Sequence, residues 1–233
     1  MSPADPFLAH VTSEVVALTI LDGALCALVT RRAVPPFPGR WALPGSSLER
    51  DTDLDTAARV ALGRASGTDC SAVRLEQLAV YGAPRRDPRH RAVCVAWLAV
   101  LPGVDGAVVG LGDGAKAAWR PADRLLERGR LAFDHRQVLS DGVERVRARL
   151  EYSNLATAFL EGEFTIADLR SVYEVVWGRE LDAGNFHRKV TRTEGFVRAT
   201  GRRRTIGRGR PAELFGTGGD PVLHPPLARR SLG

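Results

Sequence analysis

The sequence predicts an α+β chain with two domains, a strand-rich N-terminal domain and a helix-rich C-terminal domain that carries a short two-stranded ribbon. Two apolar stretches joined by an Asp-Gly pair open the first domain, and amphipathic helices replace strands after Phe133. The length of 233 residues suits two domains of ordinary size. With 44% hydrophobic and 26% charged residues, the composition excludes a wholly disordered or collagenous chain.

The N-terminal domain begins with a predicted hairpin over residues 14–32, because Asp22-Gly23 favours the positive φ angles of a tight turn. A loop rich in proline then leads to the segment Trp41-Ala42-Leu43-Pro44-Gly45. Apolar residues at helical spacing predict a helix over 51–65. The remaining predicted elements are strands at 73–81, 91–101 and 116–119 and a short helix at 121–128.

The C-terminal domain follows an amphipathic connector helix over 136–150. Three helices and a pair of short strands that flank a basic, glycine-rich stretch form the order of a winged helix-turn-helix. The predicted helices span 155–160, 166–178 and 185–193, and the strands span 196–198 and 213–215. The predicted domains are 1–131, a linker helix at 132–151, the winged helix at 152–217 and a disordered tail at 218–233, which is rich in glycine and proline.

The sequence also indicates whether the protein is inserted in a membrane, secreted or stabilised by disulfides. No stretch approaches the roughly 20 apolar residues that span a bilayer, and the N-terminus lacks the basic and apolar regions of a signal peptide. We therefore expect a soluble cytoplasmic protein. Cys26, Cys70 and Cys94 are odd in number and far apart, which predicts buried thiols and neither a disulfide framework nor a zinc knuckle.

The positive charge is concentrated in residues 185–210, which hold nine basic residues and one acidic residue in a chain of net charge +6. On the last helix, Asn185 and Arg188 are one turn apart and are the best candidates for reading bases. The other candidate DNA contacts are His187, Lys189 and Arg192 on this helix and Arg202, Arg203, Arg204, Arg208 and Arg210 on the wing. A solvated basic face is the alternative.

The segments GRWALPGS and LDTAARVALGRASGT resemble the motif of the Nudix family, and this resemblance implies an N-terminal α/β/α sandwich. In Nudix hydrolases, glutamates of this loop-helix-loop segment bind the divalent cations that polarise a pyrophosphate. The glutamate positions fall here on Thr52, Ala61, Arg64 and Ala65, and residues 56–68 contain no carboxylate in any register. We therefore predict no catalytic residue, no metal site and no cofactor.

A protein of this fold can lose catalysis and still bind a ligand in its cleft, because ligand contacts in this fold come largely from strands and loops outside the motif. Guanidinium groups suit phosphates because they offer bidentate, charge-assisted hydrogen bonds. The candidate ligand-binding residues are Arg31, Arg32, Arg40, Trp41, Arg85, Arg86, Asp87 and Arg89. Solvated, structural or dimer-interface arginines are the alternative.

The C-terminal segments FTIADLRSVYE, NFHRKV and GRGRPAELF resemble those of the Nudix-related transcriptional regulators, in which a Nudix-like domain precedes a winged helix. The resemblance implies a homodimeric repressor that binds a palindromic operator, controls NAD metabolism genes and senses ADP-ribose or a related nucleotide. Some members control sugar utilisation instead, with a sugar-phosphate effector. A Nudix-type hydrolase of ADP-ribose or another nucleoside diphosphate compound, and a nonspecific or RNA-associated protein, are the alternatives.

Overall fold

The computed structural model describes residues 8–112, 115–205, 211–219 and 222–227. The chain forms two compact units. The first contains the residues up to Leu18 together with Cys26–Ala99 and Gly106–Gly142, and the second contains Thr19–Leu25, Val100–Asp105 and the chain from Val143 onward. None of the described helices is long and apolar enough to cross a membrane.

A mixed sheet dominates the first part of the chain. Six of its strands follow the order β5-β6-β1-β2-β8-β7, while β3 pairs with β2 and β4 pairs with β1. The strands are β1 (His10–Leu21), β2 (Ala24–Arg31), β3 (Trp41–Ala42), β4 (Gly45–Ser47), β5 (Leu75–Tyr81), β6 (Ala92–Val100), β7 (Val109–Gly112) and β8 (Ala115–Pro121). The central strands β1 and β2 are almost wholly buried along their apolar stretches, which makes them the core of the sheet.

The predicted hairpin is present, with β1 and β2 joined at Asp22 (φ 48°) and Gly23 (φ 73°). Two successive positive φ angles are those of a type I′ turn, which matches the twist of the flanking strands. Strand β1 begins four residues before the predicted start at residue 14. The three short strands β3, β4 and β7 were not predicted, because two to four residues give too little alternation to indicate a strand.

Three helices accompany this sheet: α1 (Leu54–Ser66), α2 (Ala122–Glu127) and α3 (His135–Tyr152). The Ser13 hydroxyl of β1 donates to the Leu54 carbonyl at the start of α1, at 2.8 Å. Val16, whose side chain lies on the other face of β1, contacts Gly142 of α3. Helices α1 and α3 therefore cover opposite faces of β1, and the predicted sandwich is confirmed.

The second unit contains the elements of a winged helix in the predicted order. They are a 3₁₀ turn (Asn154–Phe159), α4 (Ile166–Trp177), α5 (Ala183–Arg192), β9 (Val197–Arg204) and β10 (Ala212–Thr217). Tyr173 is fully buried, and its ring centroid lies 4.8 Å from that of Trp177 and 5.2 Å from that of Phe186. These rings join α4 to α5, so the aromatic residues of the two helices form core rather than surface.

Two predictions for this region are wrong in detail. The segment predicted as a helix at 155–160 is a 3₁₀ turn. The tail at 218–233 was predicted to be disordered, yet within its described residues, 218–219 and 222–227, Leu223 and Leu227 are buried. Their backbone N–H groups donate to the carbonyls of Tyr152 and Glu151 at 2.8 and 2.7 Å. The buried leucines and these two hydrogen bonds attach the proline-rich segment to the end of α3.

Candidate functional site

The first unit contains a cleft of about 430 Å³, a volume that is typical of small-molecule sites. It is lined by β1, β4, the loop after β2, one face of α1, and the loops around residues 86–89 and 133–135. Gly45 of β4 pairs with Glu14 of β1. A Cβ atom at Gly45 would lie 2.7 Å from Glu14 Cγ and 3.0 Å from the Ser13 carbonyl, so only glycine allows this close approach.

A buried ionic cluster lies at one side of the cleft. The side chain of Arg86 is 2% exposed, and its guanidinium donates to both carboxylate oxygens of Asp134 and, at 3.4 Å, to Glu14 Oε2. The His135 ring accepts a hydrogen bond at Nδ1 from the Leu43 N–H (2.9 Å). The ring hydrogen is therefore on Nε2, which lies 3.1 Å from Glu14 Oε2.

The electrostatics of this cluster favour an ionised Glu14. Burial by itself would raise the pKa of Glu14, but the neighbouring His135 and Arg86 outweigh that effect and lower the pKa to about 2. Oε2 of Glu14 faces Arg86 and His135, and Oε1 accepts a hydrogen bond from the Thr12 hydroxyl at 3.3 Å, so the carboxylate is occupied by contacts within the protein. This cluster therefore stabilises one wall of the cleft, and Glu14 is not a candidate general base.

A second group of charges surrounds the Phe133 ring. The guanidinium carbons of Arg32 and Arg89 lie 4.9 and 5.9 Å from the centroid of this ring. Hydrogen bonds from Arg89 lower the pKa of Asp87 to about 2. The pKa of Arg32 is lowered first by burial and then by the like charge of Arg89. Two guanidinium groups that repel each other beside a cleft are an arrangement that an anion stabilises.

The face of α1 that lines the cleft contains Val60, Ala61, Arg64 and Ala65. Three of these are positions where the Nudix motif has metal-binding glutamates. Arg64 donates through Nη2 to the Leu111 carbonyl of β7 at 3.2 Å. Among the described residues, no group of three or more His, Cys, Asp or Glu side chains could hold a metal ion. The residues of this cleft therefore do not fit a divalent cation.

Five of the eight predicted ligand-binding residues line the cleft: Arg31, Arg32, Arg86, Asp87 and Arg89. The other three lie outside it. The Arg40 guanidinium packs on the Phe37 ring, Trp41 packs under Arg120, and Arg85 is exposed. The sequence predicts that these three residues lie in loops or at a strand end, but it does not predict the direction in which each side chain points. The sequence analysis missed Glu14, Arg64, Phe133 and His135, although Arg64 falls on a glutamate position of the motif and was therefore open to detection.

The predicted recognition helix is α5, whose N-cap Asp182 accepts a hydrogen bond from the Asn185 N–H. Phe186 and Val190 form its buried face. His187, Arg188 and Arg192 are exposed, and Asn185 and Lys189 are half-buried. The Arg188 guanidinium donates to Asn185 Oδ1 at 2.9 Å, so the two predicted base-reading side chains touch and present donors and acceptors together.

The predicted wing consists of β9 and β10, which pair as antiparallel strands. Arg202 lies 3.3 Å from Glu163, and Arg204 forms an ion pair with Asp168, the residue that completes the capping box of α4. Residues 198–210 contain no acid, so the sequence did not predict these pairs, whose acids Glu163 and Asp168 come from outside the ribbon. Arg203 lies on the opposite face of β9 and is exposed. Arg208 and Arg210 lie outside the described residues.

Comparisons with known proteins identify the C-terminal domain. Residues 156–216 match the family model of the NrtR DNA-binding winged helix domain. This part of the chain is similar to the NrtR winged helix domain. The match covers α4, α5, β9 and β10 together, so the helix that carries Asn185 and Arg188 lies within it.

The likeness to NrtR proteins extends over most of the chain. An ADPR responsive transcriptional repressor, NtrR of Acinetobacter baylyi, is 29% identical over 88% of this chain and 80% of its own. Shewanella oneidensis NrtR, solved with a 27mer DNA, is 29% identical with a TM-score of 0.79, over 94% of this chain and 99% of that one. The NUDIX domain of the same protein, solved with ADP ribose, is 27% identical with a TM-score of 0.51, over 63% and 94%. These matches confirm the resemblance to the Nudix-related regulators.

Proposed function

We propose that this chain is a transcriptional repressor of NAD metabolism genes, which binds operator DNA through its NrtR winged helix domain and senses ADP-ribose or a related nucleotide in its N-terminal cleft. One observation carries the proposal: the same chain holds an NrtR winged helix domain and a Nudix-like cleft lined with arginines. The Acinetobacter relative is named as an ADPR responsive transcriptional repressor, and Shewanella NrtR was solved with DNA and, as its NUDIX domain, with ADP ribose.

The surface of α5 supports the DNA-binding part of the proposal. Its exposed face presents an amide and a guanidinium one turn apart, and these are the groups that recognise adenine and guanine in the major groove. Arg192 and Lys189 extend the positive charge toward the end of the helix, where they suit phosphates. We therefore propose that α5 enters the major groove and that Arg203 contacts the backbone from the wing.

The cleft supports the effector part of the proposal. Arg32 and Arg89 provide a positively charged subsite beside Phe133 that can bind an anion. Val34 and Val60, which are 60% and 63% exposed, add apolar surface to the lining. A nucleoside diphosphate compound combines negative phosphates with a flat aromatic base, whose ring faces pack on apolar side chains, and so complements both features. A sugar phosphate would use the arginines alone and would leave the apolar surface exposed.

We also propose that the chain regulates and does not hydrolyse its ligand. The positions that hold metal-binding glutamates in Nudix hydrolases are Ala61, Arg64 and Ala65 on the cleft side of α1, with Thr52 before the helix. Without oxygen ligands for a cation, the cleft lacks the means to polarise a pyrophosphate or to activate water. Incubation with ADP-ribose and Mg²⁺ or Mn²⁺ should therefore yield no AMP, and turnover would favour the hydrolase alternative.

Fluorescence anisotropy tests the central proposal. Duplexes from upstream of the chain's own gene and of its neighbours are titrated with protein, alone and with ADP-ribose, NAD or a panel of sugar phosphates. Specific binding that ADP-ribose shifts is the expected result. If a sugar phosphate changes the DNA affinity and ADP-ribose does not, the sugar phosphate is the effector. Equal affinity for unrelated duplexes would support the nonspecific nucleic-acid alternative.

A palindromic operator requires two recognition helices, so we propose that the chain binds as a homodimer. Light scattering of the free protein and of its complex with a full operator measures the stoichiometry directly. Two chains for each operator, and much weaker binding to a half-site duplex, are expected. One chain bound to the full operator at saturation would contradict the dimer.

A further inference from the structure

The clearest departure of this cleft from the Nudix pattern is an arginine where a cation ligand is expected. Arg64 stands on the cleft face of α1 between Ala61 and Ala65. Its Nη2 atom donates to the Leu111 carbonyl, which fixes the guanidinium at the border between α1 and β7. This one hydrogen bond uses one of five N–H donors, so the side chain retains donors that can be directed into the cleft.

The charge balance of the cleft points to the same ligand chemistry. Both acidic residues of its lining already have basic partners, since Glu14 faces Arg86 and Asp87 is paired with Arg89. Arg31, Arg32 and Arg64 add positive charge to the lining beyond these pairs. A cleft with several guanidinium groups in excess of its carboxylates attracts anions and disfavours divalent cations.

We propose that the Arg64 guanidinium takes over the charge-neutralising role of the divalent cation, so that the cleft binds the diphosphate of its effector without metal. A guanidinium forms bidentate, charge-assisted hydrogen bonds to phosphate oxygens and stays protonated in proteins. It offers no open coordination position and does not generate a hydroxide from water. The same substitution thereby retains diphosphate binding and removes hydrolysis. This inference rests on the proposed function, which assigns a nucleoside diphosphate compound to the cleft.

Calorimetric titration of the full-length protein tests the metal independence. ADP-ribose is titrated into wild type that has been treated with excess EDTA, and into the same protein with Mg²⁺. The affinity should be the same under both conditions. If EDTA abolishes binding and Mg²⁺ restores it, a cation is required and the inference is wrong while the proposed effector stands. If ADP-ribose binds under neither condition, the proposed effector is wrong and this inference falls with it.

Variants then assign the role to Arg64. Loss of a charge-assisted hydrogen bond predicts that Arg64→Ala weakens ADP-ribose binding by about 10- to 100-fold. Adenosine, which has no phosphate, should bind both proteins equally, and this comparison separates a lost phosphate contact from a distorted cleft. Arg64→Lys should recover part of the affinity because it restores the charge without the fork.

Arg85→Ala is the matched control, since it removes an exposed arginine that lies outside the cleft lining. This variant should bind ADP-ribose like wild type. If Arg64→Ala retains wild-type affinity for ADP-ribose in EDTA, the assignment of Arg64 is wrong although the cleft binds the effector. If Arg64→Ala loses adenosine and ADP-ribose equally, Arg64 supports the shape of the cleft and does not contact phosphate.

Discussion

Arg86 and Asp134 form a bidentate ion pair across 48 residues of sequence, with N···O distances of 3.0 and 2.8 Å. The pair joins the loop before β6 to the residue that precedes α3. The same guanidinium also reaches Glu14 of β1. The sequence analysis predicted Arg86 as a ligand contact, but these two acidic partners give it a structural role at the wall of the cleft.

Removal of Arg86 should destabilise the protein strongly. Arg86→Ala leaves the carboxylates of Glu14 and Asp134 without their shared cation, and a broken buried pair costs about 3–5 kcal/mol. The free energy of unfolding from urea titration measures this loss. Arg85→Ala, the exposed neighbour, is the control and should change stability by less than about 0.5 kcal/mol. A comparable loss in both variants would mean that the ion pairs of Arg86 do not stabilise the fold.

Acid should weaken the fold partly through Glu14. Its pKa is lowered from 4.5 to about 2 in the folded protein, so the unfolded chain binds this proton first. Its contribution, of the order of 3 kcal/mol, is fully present above pH 4.5 and is lost as the pH falls toward 2. Glu14→Gln should therefore show a shallower fall of unfolding free energy below about pH 5. Asp87, whose pKa is lowered too, keeps titrating in both proteins.

Urea midpoints measured across this acidic range for wild type and Glu14→Gln supply the comparison. Glu49→Gln removes an exposed carboxylate and serves as the control. Its profile should parallel that of wild type. Parallel profiles for wild type and Glu14→Gln would instead show that Glu14 ionises alike in the folded and unfolded chain.

The sequence predicted the larger elements because their signals are local. Asp22-Gly23 predicted a hairpin turn, and the helix predicted over 166–178 is α4, which begins with a capping box formed by Thr165 and Asp168. The cleft depends on contacts over long distances in sequence, such as His135 with Leu43 and Arg86 with Asp134. Residue types identified Arg32 and Arg86 as phosphate-binding candidates, but they did not show that Arg86 is paired with Asp134 and Glu14 whereas Arg32 lies beside the Phe133 ring. That distinction depends on which carboxylates the fold brings next to each arginine.

Arg188 and Arg203 should affect DNA binding in different ways. Arg188 lies beside Asn185 on the exposed face of α5, so Arg188→Ala should lose about 1–3 kcal/mol of discrimination between operator and mutant operator. Arg203→Ala should weaken binding to both duplexes equally and reduce the salt slope by about one phosphate contact. Anisotropy titrations at several salt concentrations separate the two effects. Wild-type behaviour in both variants would contradict the assignment of α5 and the wing.

Asp168 should limit how strongly the wing binds DNA. Its carboxylate pairs with Arg204 and also accepts a hydrogen bond from the Thr165 N–H at the start of α4. Asp168→Asn keeps an oxygen for that backbone N–H but breaks the ion pair, so it should release Arg204 for a phosphate at a stability cost below about 1 kcal/mol. The affinity for an unrelated duplex should rise, and the salt slope should steepen by about one contact.

The control for Asp168→Asn is Glu144→Gln, which removes the same charge from the exposed ion pair with Arg147 on α3. An equal rise in affinity for both variants would show that net charge, and not the release of Arg204, governs the change. The double variant Asp168→Asn with Arg204→Ala completes the test. Its affinity should fall below that of Asp168→Asn alone, because the gain of the single variant depends on the guanidinium that the second substitution removes.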